Sequence, residues 1–108
     1  MADSKRVQAI QNRLKTAKES ATQLSEFIID KQAGDYLLRL SFNFLGDVER
    51  FLLPNADKAD APTNADLWYS SAEFTLHIVE EQIRRVKDLA KKFGRNLTIV
   101  GGGSTGRS

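Results

Sequence analysis

Residues 69–93 read YSSAEFTLHIVEEQIRRVKDLAKKF. Tyr69, Ala72, Leu76, Val79, Ile83, Val86, Ala90 and Phe93 recur in alternating steps of three and four, the rhythm of a helix that keeps one apolar stripe against a partner. A strand cannot use that spacing, because its faces alternate every second residue. The stretch predicts a long helix over 65–93, closed by Gly94 at a left-handed cap.

The same rhythm governs the start of the chain. Val7, Ile10, Leu14, Ala17, Ala21, Leu24 and Ile28 form a second seam, predicting a helix over 4–31 with Asp3 or Ser4 as its cap and Gly34 just beyond its end. Between the two lies YLLRLSFNFLGDVERFLL, predicted as a helix over 35–53 that Asp35 caps and Pro54 stops. Its apolar residues form two rows: Leu37, Phe44, Val48 and Phe51, then Leu38, Phe42, Leu45 and Leu52. So much apolar surface marks it as the inner helix. Residues 55–64, NADKADAPTN, read as a polar loop in which Thr63 or Asn64 caps the next helix.

Charge orients these pieces. The first helix is basic early (Lys5, Arg6, Arg13, Lys15, Lys18) and acidic late (Glu19, Glu26, Asp30). The long helix is acidic early (Asp66, Glu73, Glu80, Glu81) and basic late (Arg84, Arg85, Lys87, Lys91, Lys92). Parallel packing sets opposite signs together, and antiparallel packing sets like against like. The expected fold is therefore all-α: a three-helix up-down-up bundle over 1–94 with coiled-coil-like heptad seams, followed by a flexible Gly/Ser-rich tail over 95–108. With a middle helix of only about 28 Å between outer helices of about 40 Å, part of the outer pair needs a cover. Either the 55–64 loop or another chain supplies it.

Composition narrows the chemistry. The 108 residues contain no Cys, which excludes disulfides, thiolate metal sites and cysteine nucleophiles. Sixteen basic and 14 acidic residues give a net charge of +2, too balanced to identify a nucleic-acid binder from bulk charge. No apolar run reaches the roughly 18 residues of a membrane span and the N-terminus is polar, so the reading is a soluble, cytoplasmic protein with no membrane partner.

Three motifs bear on function. Glu73, His77 and Glu81 stand at helical spacings of four, yet all lie off the seam, and ion pairs of Glu80 with Arg84 and Glu81 with Arg85 account for this face better than a metal does. One His and no Cys leave no nucleophile with an activating base, so neither enzyme activity nor a cofactor is expected. Arg84, Arg85, Lys87, Lys91, Lys92 and Arg95 form a basic run suited to phosphate contacts, although no aromatic residues interleave to stack bases.

The tail, NLTIVGGGSTGRS, carries Gly101, Gly103 and Gly106 in GxGxxG spacing, without the following helix that holds a pyrophosphate in a dinucleotide site. Its Leu97, Ile99 and Val100 instead resemble a short extended peptide able to add to the edge of another protein's sheet. The leading expectation is a non-catalytic interaction or assembly module. It self-associates as a homo-oligomer through its long helices and the off-seam residues Leu67, Trp68, Phe74 and Ile78, and it docks an unidentified protein with its tail. Nucleic-acid binding by the basic run is the alternative. A third reading makes the chain the leading part of a nucleotide-dependent enzyme that begins at the glycines.

Overall fold

A computed structural model of the chain describes residues 4–27 and 33–92. Every regular element among them is a helix, and the helices pack against one another with no strand. Helix α1 spans Ser4–Phe27 and α2 spans Ala33–Asp47. A π-helical turn, Val48–Leu52, leads without a break into α3, Leu53–Lys58, and α4 runs over Pro62–Lys92. The tail over 95–108 and Ile28 lie outside the described residues.

Most of the apolar positions read above on α1 and α4 lie in the core. Ile10, Leu14, Ala17, Ala21 and Leu24 of α1 are buried, as are Tyr69, Ala72, Leu76, Val79, Ile83 and Val86 of α4. Steps of three and four hold each set on one side of its helix, so a single continuous stripe leaves water. The middle rod adds Leu38, Ser41, Leu45, Val48 and Ala56. Ser41 is fully buried, and its hydroxyl donates to the Leu37 carbonyl at 2.9 Å, so the core holds a satisfied small polar group rather than an orphan.

Several expectations about the middle of the chain are corrected. Pro54 does not stop the second helix, which continues through the π-turn to Lys58. A proline inside a regular α-helix clashes with the carbonyl four residues back and lacks the N–H that carbonyl needs. The wide turn accommodates both problems: the Leu53 N–H reaches five residues back to the Val48 carbonyl, and Pro54 then sits in the first turn of α3, where no N–H is required.

Most of 55–64 is therefore helical, with only residues 59–61 linking α3 to α4, and α4 starts at Pro62 rather than at 65. Gly34 is not a cap beyond α1 but a buried residue inside α2. The two apolar rows do not both go inside: Phe42 and Phe51 are exposed, and one buried strip through Leu38, Ser41, Leu45 and Val48 lies where rows of large side chains were expected.

With the rod running from 33 to 58, about 39 Å, the middle layer is no shorter than α1, at about 36 Å. The short middle layer that called for a covering partner is absent, although α4, at about 46 Å, outruns both. The described residues form an elongated body of 51 × 25 × 16 Å. Among them no helix is long and apolar enough to cross a membrane.

Candidate functional site

One row of charge binds α1 to α4. Arg6 sets its guanidinium edge on the Glu73 carboxylate, Nε donating at 2.9 Å and Nη2 at 2.8 Å, while Nη2 also donates to the Ser70 hydroxyl and Nη1 to Asp66. The same guanidinium lies 5.4 Å from the centre of the Tyr69 ring. One heptad further on, Arg13 repeats the two-pronged bond with Glu80, at 2.9 and 2.8 Å. Advancing seven residues on both helices means that α1 and α4 run in the same direction, as the charge pattern predicts. Lys18 reaches across to Glu49 of the π-turn at 3.2 Å.

The Arg6 bonds hold the Glu73 carboxyl below its ordinary range, because they stabilise its charged form. Glu81, with Arg84 donating to it, is lowered for the same reason. These pairings correct the expected ones. Glu80 pairs with Arg13 on α1 rather than with Arg84, and Glu81 pairs with Arg84 rather than Arg85. Glu73 and Glu81, on either side of the exposed His77, are thus partners of arginines. Among the described residues no three His, Asp or Glu side chains stand where they could hold a metal ion.

The off-seam apolar residues divide. Leu67 and Phe74 are 61% and 66% exposed. Trp68 and Ile78 are half-buried, and the Trp68 indole meets Phe51 edge to face with ring centres 5.5 Å apart. Phe51 is itself 54% exposed, so it extends this surface from the π-turn. Sequence reasoning placed Phe51 in a buried row, because a regular helix through residue 51 turns it inward. The signal that could have found it is Pro54, whose place in a continuous helix demands a wider turn just ahead.

On α4 itself, Leu67, Ser71, Phe74 and Ile78 follow one another at four, three and four residues, so they share a face. That face points away from the buried seam and forms a second stripe on the same helix. A shallow pocket between Asn64, Leu67, Trp68 and Ser71 marks its start.

A feature with no counterpart in the sequence reading is a groove of about 740 Å³ between α1 and the middle rod. Leu14, Leu53 and Tyr69 line its floor, and Lys15, Lys18, Glu49 and Asp57 its rim. It exists because the rod continues past Pro54 to Lys58.

The basic end of α4 is spread around the helix. Arg84 bridges Glu81 and, at 3.9 Å, Asp88 of its own helix. Arg85, Lys87, Lys91 and Lys92 are exposed and form no ion pair among the described residues. Arg95, with Leu97, Ile99 and Val100, lies outside the described residues. No protein-family model, curated protein or solved structure matches this chain.

Proposed function

We propose that the chain is a non-catalytic interaction and assembly module, an up-down-up bundle with coiled-coil-like seams that self-associates through the outer face of α4. The observation that carries this is the second stripe: Phe74 and Leu67 stand exposed two turns apart on a helix whose opposite side already fills the core, and Phe51 is exposed against the neighbouring Trp68. Isolated apolar side chains are ordinary on a surface, but a row of them at heptad spacing is the pattern by which helices meet. The tail residues Leu97, Ile99 and Val100 complete the proposal as a docking peptide for a second protein. Sedimentation of the full chain over a wide concentration range tests self-association, and a strictly monomeric chain removes it. A pull-down with and without residues 95–108 tests the tail.

A second reading is favoured by one specific observation. Arg85, Lys87, Lys91 and Lys92 stand exposed toward the end of α4 and form no ion pair among the described residues, which leaves them available to phosphates. Titrating generic DNA and RNA at rising salt decides it. Phosphate contacts weaken steeply as salt rises, and absence of binding at low salt ends this reading.

A further inference from the structure

The rhythm of the outer stripe on α4 does not stop at its apolar centre. From Leu67, Ser71, Phe74 and Ile78, steps of three and four continue forward to Glu81 and Arg85. Backward they reach Asn64, near the start of the helix, and Asp60 stands exposed in the bend two residues ahead of it. The stripe is apolar in the middle, with Asp60 in the bend just ahead of it and Arg85 at its far end. Both of these end residues are exposed and unpaired among the described residues.

Such a stripe cannot match a copy of itself laid parallel, where Asp60 meets Asp60 and Arg85 meets Arg85. Turned end for end about a two-fold axis between Ser71 and Phe74, it matches throughout. Asp60 then faces Arg85 of the second copy, Asn64 faces Glu81, Leu67 faces Ile78, and the small Ser71 faces the large Phe74. A two-fold axis makes every favourable pair occur twice, and it closes the assembly at two chains. Phe51 and the half-buried Trp68 flank the stripe and widen its apolar centre.

We infer that the outer face of α4 takes a second copy of this chain, helix against helix and antiparallel, in the register that pairs Asp60 with Arg85. The inference rests on the assembly reading above and adds to it the occupant, the direction and the register. It also gives Arg85 a carboxylate partner instead of a phosphate.

The test uses the full chain. Sedimentation of the wild type is expected to show a monomer–dimer equilibrium. Phe74→Glu is expected to weaken it at least about tenfold, by placing an unpaired charge at the centre. Because Phe74 is exposed, the helical circular dichroism of that variant stays at the wild-type level. Asp60→Arg and Arg85→Asp should each weaken the dimer, and the two together should restore it, since the pair is then reversed rather than broken.

The chain has no Cys, so Ser71→Cys gives an unambiguous oxidative crosslink, expected near the two-fold axis, while Thr22→Cys on α1 stays uncrosslinked. A wild type that stays monomeric at millimolar concentration overturns both the inference and the assembly reading. An oligomer that is indifferent to Phe74→Glu and to both charge reversals, and does not crosslink through Ser71→Cys, overturns this face alone and leaves assembly standing.

Discussion

Arg6 shows how much of this molecule rests on single side chains. One guanidinium joins Glu73, Asp66 and Ser70, and its plane lies beside the Tyr69 ring. Arg6→Lys keeps the charge but loses the fork that grips both Glu73 oxygens, so it is expected to cost nearly as much as Arg6→Met, about 1 to 2 kcal/mol by urea denaturation. The partial exposure of both partners keeps the figure at that level. The sign of the acid response follows from the lowered Glu73 carboxyl. A group whose folded pKa is depressed contributes stability above its ordinary value of 4.5, and that contribution is lost as pH falls through the folded value. Wild-type stability should therefore decline as pH drops below about 4.5, and Glu73→Gln should be less stable at neutral pH but fall less on acidification. Denaturation midpoints measured from neutral pH downward check both statements. Parallel declines for the two proteins contradict the assignment.

Among the elements, the π-turn and Pro54 form one device. The wide turn carries an extra residue and frees Pro54 from a carbonyl it cannot serve. Deleting the exposed Arg50 in a Pro54→Ala background should convert the turn to ordinary α-helix and leave the fold intact. The same deletion with Pro54 retained forces a proline into a regular helix and should cost about 3 kcal/mol more. Thermal melts of the two deletions decide it, and equal midpoints break the link between turn and proline. The two stripes of α4 differ as sharply. Leu76 is fully buried, so Leu76→Ala should cost about 2 to 5 kcal/mol. Phe74→Ala, measured at concentrations where the chain is monomeric, should cost under about 1 kcal/mol, as surface changes do.

At the scale of the whole molecule, the described body is a rod of 51 × 25 × 16 Å, and the way two rods meet is visible in solution scattering. Antiparallel pairing of α4 about an axis between Ser71 and Phe74 keeps the helical long dimension near about 60 Å while thickening the particle. End-to-end association would roughly double the length. A scattering profile whose maximum dimension grows by only about 10 Å while the mass doubles is the expected result for the dimer. The all-helical fold, the core stripes of α1 and α4 and the shared direction of those two helices were legible in the sequence. Apolar spacing and charge order are local properties of each helix, and α1 must match α4 along its whole length. The middle of the chain was not legible, because proline was read as a stop when a neighbouring wide turn could absorb it. Phe51 then faced outward against Trp68, and a groove opened beside α1. Which glutamate each arginine takes was likewise hidden, since neighbours on the same helix and on the next one compete for the same carboxylates. The amino-acid sequence by itself determined which residues leave water and which helices can lie together, because both follow from periodicity and sign. Only the tertiary structure decided the length of the middle rod, the partners of the charges and the shape of the outer face of α4, because each depends on what other elements bring within a few ångströms.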